Sequence, residues 1–252
     1  MNRNVVRQVV NIISVLLTIV FNILANALPL NGLNTGEISD RFQVFFVPAG
    51  YVFSIWGLIY IGWIAFAVFQ ALPSQRENPR LVRLGYWFAV SCLANIGWLI
   101  SWHYEYFAVG PFILAALAIL LIVAYLRLEI GRARVSAAER WCVQFPFSIY
   151  LAWATVATIA NISSTLYFLG WGGWGIAPEA WAAIMLGVAT VVGVLVFLTR
   201  RDFAFVLVLI WAFSGIAVKH SSTTLVMGAA WLMTAVLAVM LLVGLVRGRQ
   251  AA

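Results

Sequence analysis

Eight long apolar stretches constrain the fold of this chain more than any other feature of its sequence. They lie at residues 8–28, 50–70, 83–102, 108–127, 142–168, 179–198, 203–219 and 224–246. Since roughly 20 apolar residues cross the hydrocarbon core of a bilayer as an α-helix, each stretch predicts a transmembrane helix. The runs are continuous and do not alternate with polar residues, which excludes a transmembrane β-barrel. The sequence therefore predicts an all-α, polytopic transmembrane helix bundle with about eight spans.

The composition agrees with this fold class. Hydrophobic residues make up 64% of the chain and charged residues only 9%, whereas an ordinary soluble domain has about 25% charged residues. This balance excludes a soluble enzyme, a nucleic-acid-binding module and a disordered chain. The weakest predicted break is the short polar run at residues 219–222, so a seven-span arrangement remains an alternative.

The basic residues predict an orientation in the membrane. With the N-terminus in the cytoplasm, 13 of the 15 Lys and Arg residues fall on the cytoplasmic side, and only Arg41 and Lys219 fall outside. This satisfies the positive-inside rule for an even number of spans with both termini in the cytoplasm. The net charge of +7 is therefore an orientation signal. The expected partner is the lipid bilayer of a bacterial inner (plasma) membrane, and no nucleic acid is expected.

The first apolar stretch has two interpretations. Arg3 and Arg7 precede it and Ala25-Asn26-Ala27 follows, which resembles a secretory signal with a small-residue cleavage site. The apolar run is about 20 residues long, however, and a signal-peptide core has about 7–15. We therefore expect a retained first span, with cleavage as the alternative.

The chain contains 12 tryptophans, and their positions divide them into two groups. Tryptophan commonly forms belts at membrane interfaces. Six tryptophans lie near predicted helix ends and suit that role: Trp87, Trp102, Trp141, Trp171, Trp174 and Trp181. Six lie deeper in their segments, where a belt does not explain them: Trp56, Trp63, Trp98, Trp153, Trp211 and Trp231.

Several of the deeper aromatic residues share a helix face with polar residues. The stripes follow helical spacing and contain Trp56, Tyr60 and Trp63; Asn95, Trp98 and Trp102; and Tyr150, Trp153, Ala157 and Asn161. An unpaired amide in hydrocarbon is costly, so Asn95 and Asn161 are expected to face the bundle interior. Spacing alone leaves two interpretations open. One is a cavity for a flat apolar ligand with a polar edge, and the other is helix packing with hydrogen bonds between helices.

Three motifs occur in the order found in one known family. Residues 48–60 read PAGYVFSIWGLIY, residues 95–98 read NIGW, and Tyr150-Leu151-Ala152-Trp153 is followed by Ala157 and Asn161. These resemble the patterns P-P-G-W-V-F-x-P-V-W-x-x-L-Y, N-x-x-W and P-Y-L-x-W-x-x-x-A-x-x-x-N of the TspO/MBR family. That family comprises the tryptophan-rich sensory proteins related to the mitochondrial translocator protein. The resemblance covers roughly residues 5–168.

The resemblance implies a five-helix bundle over residues 1–170, followed by a three-helix membrane extension over residues 171–252. It also implies an aromatic pocket that binds porphyrins, other tetrapyrroles or sterol-like molecules, often in a homodimer. The matching ligand-contact residues are Trp56 and Trp153, with Tyr60, Asn95, Trp98, Tyr150, Ala157 and Asn161 as further ligand-binding candidates. The chain departs from the family pattern in segment two. Of the prolines in that pattern it keeps only the first, Pro48, and it has Tyr51 for the usual Trp.

The sequence contains no recognisable catalytic arrangement, so no catalytic residue and no metal ligand is predicted. Its only histidines, His103 and His220, lie near helix ends and are expected to be solvated at the interface. No resident cofactor is firmly implied, and porphyrin or haem would enter as a ligand. We expect a binding protein for sensing, regulation or transport. The alternatives are a permease for small solutes and a light-dependent enzyme that degrades porphyrins.

Overall fold

The structure, a computed structural model, describes residues 3–28 and 30–250, and the side chains up to residue 247. The described residues form helices and connecting turns, without strands. The eight long helices are α1 (Arg3–Ala27), α2 (Ile55–Ala71), α3 (Trp87–His103), α4 (Gly110–Arg127), α5 (Phe145–Phe168), α6 (Pro178–Arg200), α7 (Phe203–Lys219) and α8 (Thr224–Gln250).

Each predicted apolar segment corresponds to one of these helices. Six of the described helices are long and apolar enough to cross a membrane, once the turns that lead into α2 and α5 are included. The other two, α3 and α7, have 17 residues each, at the lower limit for a span. The weak break predicted at residues 219–222 is a turn that separates α7 from α8. The predicted polytopic all-α bundle is therefore confirmed.

Helix packing explains how the last three helices join the first five. α3 packs against α1 and α4, α4 packs against α5, and α1 also packs against α2. In the C-terminal part, α7 packs against α6 and α8, and it also forms an extensive contact with α5. The buried Asp202 supports this junction, because Tyr125 Oη and Ser148 Oγ donate to its carboxylate at 2.8 and 2.6 Å. The division at residue 170 stays a prediction.

The loops gather at two ends of the bundle. At one, which we name the basic end, Arg80 pairs with Glu139 at 2.6 Å and Arg83 pairs with Glu129 at 2.8 Å. At the other, which we name the distal end, residues 30–54 precede α2 and form the pocket loop. A short helix, Thr35–Asp40, lies within this loop and begins with a capping box between Asn34 and Glu37, which satisfies backbone N–H groups at its start.

Candidate aromatic ligand site

A chain of hydrogen bonds crosses four helices beneath the candidate site. Tyr60 Oη on α2 donates to Asn22 Oδ1 on α1 at 3.1 Å. Asn22 Nδ2 donates to Asn95 Oδ1 on α3 at 2.8 Å, and Asn95 Nδ2 donates to Tyr150 Oη on α5 at 3.2 Å. Asn22, Asn95 and Tyr150 are almost completely buried. Asn95 therefore joins helices, as the packing interpretation of its amide predicts.

Asn22 is a member of this network that the sequence motifs do not include. A signal for it is nevertheless present, because Asn11, Thr18 and Asn22 share one face of α1 by their spacing. All three are buried. Polar residues that repeat on one face of an apolar span are expected to face other helices. This stripe indicates which side of α1 meets the bundle.

Aromatic rings pack around Trp56 above the network. Trp56 stacks on Tyr60, with ring centroids 5.7 Å apart and planes at 28°, and meets the edge of Trp153 at 6.3 Å. On α3, Trp98 stacks on Trp102 at 6.2 Å and 24°. These are the offset and edge-to-face arrangements that aromatic side chains favour. The helical stripes predicted from the sequence thus supply two groups of rings, and both groups line the same cavity.

A small cavity lies among these rings. This inner cavity has a volume of about 50 Å³. Of the predicted site residues, its lining contains Trp56, Trp98, Trp153, Ala157 and Asn161. None of its lining residues has a side chain that titrates in the physiological range. The inner cavity has room for a few atoms or water molecules, and it is too small for a whole tetrapyrrole.

Three polar atoms around the inner cavity are buried and have no hydrogen-bond partner among the described protein atoms. They are Trp98 Nε1, Trp153 Nε1 and Asn161 Oδ1. A buried polar group without a partner costs about 1–3 kcal/mol, and such groups are uncommon in native proteins. Two donors and one acceptor without partners therefore belong to residues that line this largely apolar cavity, although the atoms themselves are almost inaccessible and Asn161 Oδ1 lies close to Gly110.

A larger outer cavity of about 640 Å³ lies on the other side of the same aromatic wall. Asn22, Tyr60, Trp56 and Trp98 contribute to its lining, and Glu37 and Asp40 of the pocket loop also line it. The two cavities share Thr35, Phe53, Trp56 and Trp98. A volume of this size lies within the range of about 300–1,000 Å³ that is typical of small-molecule sites.

The eight predicted site residues therefore fall into three groups, which line the inner cavity, line the outer cavity or form the hydrogen-bond network beneath them. Five line the inner cavity, and Tyr60 lines the outer cavity together with Trp56 and Trp98. Asn95 and Tyr150 line neither cavity and belong to the network beneath them. Phe53 belongs to the family motif but is not one of the predicted site residues. It lines both cavities and meets the edge of Trp153 at 5.7 Å.

The C-terminal end of α3 anchors the pocket loop. Trp102 Nε1 donates to the carbonyl of Thr35 at 3.2 Å. The His103 ring lies 3.2 Å from the carbonyl of Leu30 through Nδ1, and 3.1 Å from the Thr35 hydroxyl through Nε2. Because a carbonyl only accepts, Nδ1 is the nitrogen that donates.

These contacts overturn two predictions. The belt position predicted for Trp102 is wrong, because the pocket loop covers this side chain and leaves it 4% exposed; its burial agrees instead with the interior stripe that it shares with Asn95 and Trp98. His103 was expected to be solvated, but it is 1% exposed. Position near a helix end was a poor guide to exposure here, because a loop from elsewhere in the chain folds over that end.

Comparison with known proteins identifies the family. The model of the TSPO-like protein family matches residues 8–243, which includes all eight helices at least in large part. No curated protein and no solved structure gives a match to the chain. The order of the motifs, the convergence of their tryptophans and the extent of the match lead to one conclusion: the chain is an integral membrane protein that belongs to the TSPO-like family.

Proposed function

We propose that this protein binds a planar hydrophobic ligand with a polar edge, of the porphyrin or sterol-like class, inside the membrane. The observation that carries the proposal is the set of unpartnered polar atoms on Trp98, Trp153 and Asn161 around one aromatic cavity. Each atom is almost inaccessible in the structure, so these side chains would turn towards the cavity on binding. A ligand edge that accepts from the two indoles and donates to the amide oxygen would then satisfy all three. The rings supply the stacking surface.

The cavity volumes suggest how such a ligand would sit. The outer cavity of about 640 Å³ can hold the ring system against Trp56, Tyr60 and Trp98. The inner cavity of about 50 Å³ can take only the polar edge. Thr35, Phe53, Trp56 and Trp98 separate the two spaces, so binding is expected to move at least one of these side chains.

The bundle is closed between the candidate site and the basic end, which fits a binding protein for sensing or regulation. Beneath Trp63, the rings of Phe66, Phe88 and Phe147 pack with centroid distances of 5.0–5.1 Å and close the bundle towards the basic end. A permease would need a second conformation in which this end of the bundle opens.

The distribution of charge supports an orientation. We place the basic end in the cytoplasm of a bacterial cell, with both termini on that side of the inner membrane, because cytoplasmic loops carry the excess of Lys and Arg. The pocket loop and the outer cavity then face the opposite side. Labelling of engineered cysteines in loops at the two ends, with an impermeant reagent on intact cells, tests this orientation.

The function is tested by titrating the purified protein in detergent with protoporphyrin IX while its absorbance is recorded. We expect a saturable change with a stoichiometry near one per chain. Trp153→Phe keeps an aromatic ring but removes the indole N–H, so it should weaken binding about three- to tenfold, which corresponds to the loss of one hydrogen bond. A non-saturable signal, or equal affinity in the variant, would contradict the proposal.

A further inference from the structure

The second half of the pocket loop lies directly on α7, a helix of the C-terminal extension. The backbone N–H of Ala49 donates to the carbonyl of Gly215 at 3.2 Å. Trp211 Nε1 donates to the carbonyl of Val52 at 3.1 Å, and the Trp211 ring meets Tyr51 edge-on at 5.4 Å. Two hydrogen bonds and a ring contact thus join segments about 160 residues apart in the chain.

The contact requires glycine at position 215. A Cβ atom built on Gly215 would lie 2.1 Å from Val52 Cγ2 and 3.2 Å from Pro48 Cβ. The first distance is far below van der Waals contact, so any larger residue would push the pocket loop away from α7. Glycine is the residue that allows such close approach of a helix backbone to another segment.

Two further contacts extend the junction along the loop. Lys219 Nζ at the end of α7 pairs with Asp40 Oδ1 at 2.7 Å. Immediately after α7, the ring of His220 packs against Phe45 at 5.2 Å. α7 and the residue that follows it therefore hold the pocket loop from Asp40 to Val52.

The same part of the loop forms walls of the candidate site. Val47, Pro48 and Phe53 line the inner cavity. Asp40, Gly50 and Phe53 line the outer cavity. Any shift of the loop relative to α7 would therefore change both cavities. α7 itself contributes no residue to the lining of either cavity, so its effect would act through the loop.

We propose that α7 is a clamp on the pocket loop and that this clamp controls entry to the aromatic site and the residence time of its ligand. The proposal rests on the proposed function for its ligand, but the clamp can be measured without one. Trp211, Gly215 and Lys219 are positioning residues, since they touch the loop and not the cavity. A loop held over the site slows ligand loss, because the loop must move before the ligand can leave, and holding it in the binding conformation also lowers the ordering cost of binding.

The experiment compares Gly215→Val and the milder Trp211→Phe with Gly228→Val as a control. A Cβ on Gly228 in α8 would meet no atom within 4 Å, so this control adds the same side chain without touching the loop. Trp211→Phe keeps a ring against Tyr51 and removes only the hydrogen-bond donor to Val52. It therefore still tests the contact if Gly215→Val fails to fold.

The first measurement needs no ligand. A cysteine replaces Ala157 in the inner cavity of a protein whose Cys92 and Cys142 are changed to Ser, and its reaction with a small methanethiosulfonate is timed. We expect labelling at least fivefold faster with Trp211→Phe or Gly215→Val, and unchanged with Gly228→Val. Amide hydrogen exchange of residues 40–54 should also rise at least fivefold in the two clamp variants. Unchanged labelling and exchange would overturn the proposal.

The second measurement is the dissociation rate of protoporphyrin IX, which should rise at least fivefold in both clamp variants and stay within twofold in the control. If labelling is faster but the dissociation rate is unchanged, the claim that α7 sets the residence time of the ligand is overturned. If the wild-type protein does not bind the porphyrin, the proposed function fails, and the labelling rates still decide whether α7 controls entry to the cavity.

Discussion

The amide of Asn22 on α1 donates to the amide oxygen of Asn95 on α3 at 2.8 Å, inside the bundle. Neither side chain is more than 2% exposed. In hydrocarbon such a pair has no water to replace a lost partner, so it favours one register between the two helices. The bond lies beneath the aromatic cavities, and it links the tyrosines at either end of the network.

Removing the Asn95 amide should destabilise the bundle. Asn95→Leu is close in volume but leaves the Asn22 amide and the Tyr150 hydroxyl without this partner, and we expect a loss of about 1–3 kcal/mol. Thermal unfolding in detergent measures the effect. Tyr60→Phe is the control, because it removes one hydroxyl at the half-buried end of the network and should cost less. An equal or larger loss for Tyr60→Phe would contradict the assignment.

Enlarging Ala157 should block the inner cavity. Ala157→Leu adds three carbon atoms to the wall of a space of about 50 Å³, so we expect the affinity for protoporphyrin IX to fall at least tenfold. Ala183→Leu on α6 is the matched control, because Ala183 is also half-buried and lines neither cavity. Affinities that stay within twofold in both variants would show that the ligand does not use the inner cavity.

The His103 side chain should hold the first half of the pocket loop. His103→Ala removes contacts with Leu30 and Thr35, and we expect amide exchange of residues 30–36 to rise at least tenfold. Thr35→Val keeps the shape and removes only the hydroxyl contact, so its effect should be smaller. Exchange that is unchanged in His103→Ala would show that Trp102 alone is sufficient to anchor this half of the loop.

Carboxylates at the outer cavity should affect which ligands bind. Glu37 and Asp40 line that cavity, and its lining includes no Lys or Arg. Lys219 offsets the charge of Asp40, whereas Glu37 has no ion-pair partner among the described residues. The remaining negative charge near the ligand favours a neutral molecule over an anion, so protoporphyrin IX dimethyl ester should bind more tightly than the free acid. Glu37→Gln should reduce the difference while preserving the short helix, since Gln also completes a capping box. Equal affinities for both porphyrins in the wild-type protein would contradict this prediction.

The fold and part of the site could be predicted from the sequence for a specific physical reason. Hydropathy places α1–α8 because an apolar run is needed at each crossing. Helical periodicity places Trp56, Trp153 and Asn161 on interior faces because one helix face must meet the other helices. Both signals are local, and each can be read within about 20 residues.

The remaining features depend on contacts between distant segments. Gly215 shows no special pattern within α7, and its importance follows from Val52 lying where its Cβ would be. The burial of Trp102 and His103 depends on a loop that precedes α2 and folds over the end of α3. Asn95 was placed correctly in the interior, but only the structure shows that Asn22 and Tyr150 satisfy its amide.

The central claim is that the aromatic cluster around Trp56 binds a planar ligand. The most direct measurement is the dissociation constant of protoporphyrin IX, determined from porphyrin absorbance, for the wild type, Trp56→Leu and Trp231→Leu. Trp231 is 46% exposed on α8 and lines neither cavity. Base–aromatic stacking in nucleic-acid sites is worth about 1–3 kcal/mol, so loss of a comparable ring should weaken binding at least fivefold in Trp56→Leu. The Trp231→Leu affinity should stay within twofold of wild type, and equal affinities for all three proteins would contradict the account.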